Sequence, residues 1–268
     1  FLLPRHGVGH LHNPTTVPYR ANIFALKELG CTHVLATGAV GSLREEFKPR
    51  DLVVPDQLID KTSRRAGTFY ENAAVHVEFA EPFCPVLRRM VIEAGKNLES
   101  ITGSGGPKED PNHKPFSIHN GGCYVAMEGP AFSTRAESLM HRLWGSDLIG
   151  MTAMPEAKLA REAEMSYALI ALVTDYDCWR QKPPAKTDAE APADPDLLLK
   201  EIIGHLQAAS ANAMDLIRRT VQLLGTRTDE ALAAPALHAL KLAIWSDKSK
   251  IAPEEIGRLK PLWGKYFF

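Results

Sequence analysis

One run of six apolar residues, Ala168-Leu169-Ile170-Ala171-Leu172-Val173, restricts this chain more than any other feature. It has the length of a strand buried on both faces and is far too short to cross a bilayer. Such a strand needs cover above and below it, and the neighbouring segments read as helices. Pro18 to Leu29 reads as a helix stopped by Gly30 and followed by a strand over His33 to Thr37. Leu52 to Val54 and Leu58-Ile59 read as strand, and the spacing of Leu87, Met90, Val91 and Ala94 predicts a helix over Pro85 to Leu98. Tyr124 to Met127 reads as a strand, after which Thr134-Arg135-Ala136-Glu137 has the capping-box pattern of a helix running to Trp144. Leu148 to Met151 is another short strand. Pro155 suits the first turn of a helix continued by Ala157 to Tyr167, and the apolar run returns as a strand over Leu169 to Thr174.

This alternation predicts an α/β fold: a single domain with a central mixed or mainly parallel β-sheet, doubly wound, with helices on both faces. Ser100 to Pro115, rich in Gly, Pro and charge, reads as a surface loop, Arg180 to Pro195 as a connection, and Asp196 to Leu224 as a long helix. Beyond Gly225, Ala236 to Trp245 and Pro253 to Leu259 read as short helices on the surface of the domain. The chain thus divides into a domain over 1–224 and a C-terminal helical extension over 225–268.

A formal net charge of -1 gives no basic excess to attract nucleic acid, and no stretch is long and apolar enough to predict a membrane partner. Cys31, Cys84, Cys123 and Cys178 form no C-x-x-C pair and no zinc-ligand spacing, so they read as reduced, buried thiols of a cytoplasmic protein without a metal site. The opening Phe1-Leu2-Leu3-Pro4 lacks Met and begins in an apolar run, so an upstream segment is expected.

In open α/β sheets ligands bind beyond the carboxyl ends of the strands, which directs attention to four places. Thr37-Gly38-Ala39-Val40-Gly41-Ser42 reads as a strand entering a small-residue loop whose N–H groups can approach an anion, with Arg5-His6-Gly7 upstream as a cation and second donor. Alone, such a loop is more often just a turn, and Arg5 a solvated charge. Thr174-Asp175-Tyr176-Asp177 places two carboxylates after the apolar strand. An isolated D-x-D commonly caps the next turn. The chemical alternative is that one carboxylate accepts from an exocyclic amine while its neighbour, kept protonated in a dry site, donates to a ring nitrogen. Phe132, after Glu128-Gly129-Pro130, offers a face for stacking or fills core, and Met151, beside Thr152, packs on a sugar or on the core.

Together these segments resemble the trimeric purine nucleoside phosphorylase family, in its methylthioadenosine phosphorylase branch. The matching strings include Pro4-Arg5-His6-Gly7, Tyr19-Arg20-Ala21-Asn22-Ile23, Gly41-Ser42-Leu43-Arg44-Glu45-Glu46, Ala80-Glu81-Pro82-Phe83-Cys84-Pro85, Glu128-Gly129-Pro130-Ala131-Phe132-Ser133, Pro155-Glu156 and Thr174-Asp175-Tyr176-Asp177-Cys178-Trp179. The resemblance implies the nucleoside phosphorylase fold and an attack of inorganic phosphate on the anomeric carbon of methylthioadenosine. Adenine and 5-methylthioribose 1-phosphate leave, with phosphate as co-substrate and neither metal nor organic cofactor. By the same resemblance Arg5, His6, Thr37, Thr152 and the backbone of Ala39 hold phosphate, while Phe132, Ser133 and Met151 line the nucleoside. Asp175, protonated, serves N7 of the leaving base and Asp177 accepts its 6-amino group. His76 matches a residue contributed by a neighbouring subunit to the 5'-substituent pocket, which implies a homotrimer.

Departures from the family pattern are also present. The family's opening Gly-rich segment, with its first strand and a phosphate-binding hydroxyl, is missing from this sequence. Gly38 stands where relatives usually carry a phosphate-binding Ser or Thr, with Thr37 as the expected substitute. A phosphorylase of 6-oxopurine nucleosides or methylthioinosine, and a non-catalytic nucleoside-binding homologue, are the competing readings. The first usually carries Asn where Asp175 stands, since an amide satisfies a carbonyl oxygen and a ring N–H at once.

Overall fold

The computed structural model describes residues 1–104, 116–180 and 195–268. The apolar run lies inside strand β7 (Ser166–Tyr176), which is buried from Ser166 to Thr174. β7 runs parallel to β1 (His33–Ser42) along the whole of that strand. Around this pair the sheet is ordered β3 (Gln57–Asp60), β5 (Cys123–Ala126), β6 (Leu148–Gly150), β1, β7, β2 (Leu52–Val54) and β4 (Ile118–Asn120). It is mixed, as expected: β6 is antiparallel to β1 and β2 antiparallel to β7, whereas β2 with β4, β3 with β5 and β5 with β6 are parallel.

Helices cover both faces. On one, α2 (Pro85–Ser104) and α5 (Pro195–Thr226) pack over Leu52, Val54, Ile170 and Leu172. On the other, α1 (Tyr19–Glu28) and α4 (Glu156–Glu162) enclose a core that includes Ile23, Val40, Leu159, Tyr167 and Leu169. α3 (Arg135–Leu143) begins with the expected capping box: the Thr134 hydroxyl accepts from the Glu137 N–H, and the Glu137 carboxylate accepts from that of Thr134. Among the described residues no helix is long and apolar enough to cross a membrane.

The structure corrects several sequence expectations. β1 does not give way to a loop after Thr37 but continues to Ser42, with a bulge between Val40 and Gly41, because β7 supplies a partner along its length. α4 stops at Glu162 rather than at Tyr167, since Glu164 takes a left-handed φ of 52° and Ser166 already belongs to β7. α2 extends through Ser104, which shortens the expected loop; the rest of that loop and residues 181–194 of the expected connection lie outside the described residues. Of the four cysteines, all free, only Cys84 is buried.

The pieces after Gly225 lie on the surface, as expected, but they are also anchored in the core. α6 (Thr228–Leu232), α7 (Pro253–Arg258) and α8 (Lys260–Trp263), with the turns between them, deliver Leu240, Ala243, Leu259, Leu262 and Trp263 into the core beneath α1. α1 and α4 are short, and the tail fills the space that they leave. Trp263 is fully buried, its ring 4.7 Å from Tyr70 and 5.0 Å from Phe267. Trp263→Ala is expected to lower unfolding free energy by about 3–5 kcal/mol, the range for deleting a buried aromatic side chain, measured by urea denaturation.

Candidate active site

β1 is the spine of the site. Alternate backbone groups of a strand face the same edge. The Val40 carbonyl accepts from Thr174 Oγ1 on the β7 side, so Thr37 and Ala39 present their backbone groups to the opposite edge. That edge is covered by β6 only at Gly41 and Ser42, leaving it open further down. Arg5 enters here, its guanidinium donating to the Thr37 carbonyl at 2.7 Å, and the Ala39 N–H faces the same opening. Side chains alternate as well. Gly38 faces Thr152, whose Oγ1 would lie 3.4 Å from a Cβ at position 38. Thr37 therefore turns its hydroxyl to the other face and does not replace the one that Gly38 lacks; its contribution to this edge is the carbonyl that holds Arg5.

Arg5 is committed to a buried ion pair. Its Nε donates to Glu156 Oε2 at 2.9 Å and one Nη to Oε1 at 2.7 Å, while the Tyr167 hydroxyl donates to Oε1 at 3.0 Å. Burial works against the Arg5 charge, but Glu156 outweighs it and holds the guanidinium above its ordinary pKa. Three of the five guanidinium N–H groups are thus used and two remain for an anion.

His6 lies next to Arg5, stacked on His10 with ring centroids 4.2 Å apart. Its Nδ1 donates to the His12 carbonyl at 2.7 Å, so in the neutral ring Nε2 carries a lone pair rather than a proton. Partial burial, with the nearby His10 and Arg5, lowers the His6 pKa despite the His12 bond. As the donor expected from sequence, His6 must take up a proton when an anion arrives.

The carboxylates lie three to four residues further along β1, roughly 10 Å away at 3.3 Å per residue. Asp177 packs where a Cβ at Gly41 would be 3.2 Å from its own, and its N–H donates to the Ser42 carbonyl at 3.0 Å. Asp175 Oδ1 lies 2.6 Å from Thr174 Oγ1, whose single proton is shared between it and the Val40 carbonyl. Burial, reinforced by the charge of Asp177, raises the Asp175 pKa against the pull of that hydroxyl. Asp177 Oδ2 is buried and makes no hydrogen bond. Trp179 fastens this end of β7: its indole N–H donates to the Ser42 carbonyl at 2.8 Å, with the Arg142 guanidinium 3.6 Å above its ring.

Phe132 is not core. It is 86% exposed, on a segment joined to the carboxylate segment where Cys178 Sγ donates to the Ser133 carbonyl at 3.3 Å. Met151 closes the gap between the β5 and β6 ends. A Cβ at Gly129, which has a φ of 64°, would stand 2.5 Å from Met151 Sδ, so only glycine fits. His76 is exposed, its ring 4.7 Å from that of Trp245 and its backbone N–H donating to the Ala243 carbonyl at 2.9 Å.

Sequence reasoning missed several supporting residues. Glu156 was visible only as part of a matching string, Tyr124 only as a strand residue, and Arg65 gave no signal. The Tyr124 hydroxyl accepts from the Thr152 N–H at 3.3 Å. Arg65 is paired with Glu128, whose carboxylate is pulled down to about 2: burial opposes the charge, but the Ser63 and Arg64 N–H groups, the Thr15 hydroxyl and Arg65 prevail. Behind Asp177, Lys61 donates to Nε2 of the buried His141 at 2.8 Å.

A mixed sheet with an open strand edge that Arg5 approaches and a half-buried acidic pair a few residues on is the framework of this site, and the relatives of the chain are nucleoside-cleaving enzymes of the phosphorolytic type. The model of the phosphorylase superfamily matches residues 1–222, and the chain belongs to that superfamily. It is 42% identical to S-methyl-5'-thioadenosine phosphorylase of Synechocystis sp. over 99% of this chain and 73% of the relative, and 43% identical to that of Gloeobacter violaceus over 98% and 80%. Among solved structures, a methylthioadenosine phosphorylase from an Antarctic soil metagenomic library superposes with a TM-score of 0.81 at 41% identity, covering 97% of this chain and 82% of the other. The Schistosoma mansoni methylthioadenosine phosphorylase in complex with tubercidin gives 0.74 at 37%, covering 91% and 82%. A variant of the schistosome enzyme is in complex with methylthioadenosine.

Glu156→Gln removes the countercharge of Arg5 while keeping the shape of the side chain. Breaking one side of a buried pair is expected to cost about 3 kcal/mol of unfolding free energy, measured by urea denaturation at pH 7.

Proposed function

We propose that this chain catalyses the phosphorolysis of S-methyl-5'-thioadenosine to adenine and 5-methylthioribose 1-phosphate. The observation that carries the reading is the layout along β1: an open strand edge at Thr37–Ala39 that Arg5 approaches, and the Asp175–Asp177 pair beside Gly41 and Ser42, about 10 Å further on. The relatives named for this reaction support the choice of substrate.

Phosphate is held by the two remaining Arg5 N–H groups, the Ala39 N–H, the Thr152 hydroxyl and His6 in its protonated form. One phosphate oxygen attacks C1' of the ribose as the C1'–N9 bond breaks, and the electron pair passes into the purine. Asp175 delivers its proton to N7, so the base leaves as neutral adenine. The cost of charge on the leaving group is thereby reduced in the transition state. Asp177, with its unpartnered Oδ2, accepts from the 6-amino group. Two acidic side chains suit this edge better than that of a 6-oxopurine, whose carbonyl oxygen needs a donor. Phe132 stacks on the base, Ser133 lies beside it and Met151 packs on the sugar. The chemistry needs no metal or organic cofactor.

The active assembly in this reading is a homotrimer, in which His76 of a neighbouring subunit reaches the 5'-substituent. Exposed apolar side chains support an association: Trp245, 71% exposed, stands beside His76, and Leu139, Leu143 and Trp144 line the outer side of α3. The four free cysteines fit the reducing cytoplasm, where we place the reaction.

Adenine release from methylthioadenosine is expected only when phosphate is added, followed by chromatography of the free base; release without phosphate, or nucleoside binding without turnover, refutes the proposal. The raised pKa of Asp175 keeps its proton to higher pH than an ordinary Asp, and the rate is expected to fall as pH rises through that value. Asp175→Asn is expected to lower kcat by about 100-fold. The KM for phosphate stays within about 3-fold, as the anion lies at the other end of β1.

A further inference from the structure

Arg65 lies in the segment after β3, which no motif distinguishes, and its side chain is 1% exposed. One Nη donates to the carbonyls of Met151 and Met154, each at 2.5 Å, and the other to the carbonyl of Glu128 at 2.6 Å. Nε donates to Glu128 Oε1 at 3.3 Å. These carbonyls belong to two segments. Residues 151–154 leave β6 and carry Met151 and Thr152, while residues 127–133 leave β5 and carry Phe132 and Ser133. β5 and β6 are parallel neighbours, so their carboxyl ends open side by side and expose carbonyls that neither strand satisfies for the other.

The countercharge adds a third segment. Glu128 accepts from the Ser63 N–H at 2.8 Å, from the Arg64 N–H at 3.3 Å and from Thr15 Oγ1 at 2.7 Å. Thr15 lies on the same N-terminal stretch as Arg5 and His6. One ion pair thus joins the stretch that approaches the anion, the segment beside the sugar and the segment beside the base.

We infer that Arg65 is a positioning residue: with Glu128 it sets the distance between the anion side and the base side of the site. It acts through the two segments that it holds, since its buried side chain is not exposed to a substrate. The planar guanidinium is what permits this, with donors pointing along several directions in one plane toward carbonyls on opposite sides. A lysine ammonium at the end of a flexible stem keeps the charge and loses the geometry.

The inference rests on the proposed activity, so two readouts are needed: turnover of methylthioadenosine, and binding of inorganic phosphate by calorimetry. Arg65→Lys is expected to raise the KM for phosphate and for the nucleoside together, each by about 10-fold, and to weaken phosphate binding by a similar factor. Trp263→Leu, in the tail core, serves as the control for stability alone and is expected to melt earlier with both KM values unchanged. Thr15→Val removes the hydroxyl bond to Glu128 while leaving Arg65 intact, is expected to weaken phosphate binding by about 3-fold, and decides the matter if Arg65→Lys does not fold. Phosphate affinity and both KM values within twofold of wild type in a folded Arg65→Lys, or unchanged phosphate affinity in Thr15→Val when the lysine variant is unfolded, overturns the inference. A wild-type protein that binds phosphate without releasing adenine refutes the activity instead, and Arg65 is then judged on phosphate binding alone.

Discussion

The parallel pairing of β1 with β7 is the constraint on which the rest of the structure depends. It fixes His33 through Ser42 against Ser166 through Tyr176, so groups attached far apart in sequence fall into a fixed order along one line. Arg5 meets that line at Thr37, Thr152 at Gly38, Thr174 at Val40 and Asp177 at Gly41 and Ser42. A shift of the register by one residue would turn Gly38 away from Thr152 and put a side chain against Asp177. The two glycines keep the line clear where other segments cross it.

Charge in the site is arranged so that most of it is spent inside the protein. Arg5 is matched by Glu156, Arg65 by Glu128, and Lys61 leans on a neutral His141. Such buried pairs are weak sources of net stability, but they fix geometry, because moving either partner leaves the other unpaired. The acidic end is the exception. Asp175 is pushed toward its neutral form by burial and by the neighbouring carboxylate, and Asp177 keeps an unpartnered oxygen. One end of the site thus holds a carboxyl group biased toward its neutral form beside an unpartnered acceptor, and the other holds the Arg5 guanidinium.

Much of this was legible in the sequence, and the failures share a cause. The apolar run of β7, the capping box of Thr134 and Glu137, and the acidic pair after the strand are local patterns, and local physics decided them. The extension of β1 was not legible, because Gly38 and Gly41 look like a turn until the partner strand is in place. Ala163-Glu164-Met165 are good helix formers, and only the tertiary course of the chain imposes a left-handed Glu164 there. Arg65 stands in Ser63-Arg64-Arg65-Ala66-Gly67, which reads as a solvated loop; its carbonyl partners come from distant segments. The tail carries its apolar residues without a helical or strand period, so nothing in it announced a buried face.

That same Glu164 accepts from the Leu240 N–H and the Tyr266 hydroxyl and pairs with Lys265. A carboxylate in the middle of the chain is thus closed over by residues 76 to 102 positions further on. During synthesis, α4 and its Glu156 have emerged well before the segment that seals their side of the core. That side of the core is therefore completed only by segments that follow it in the chain.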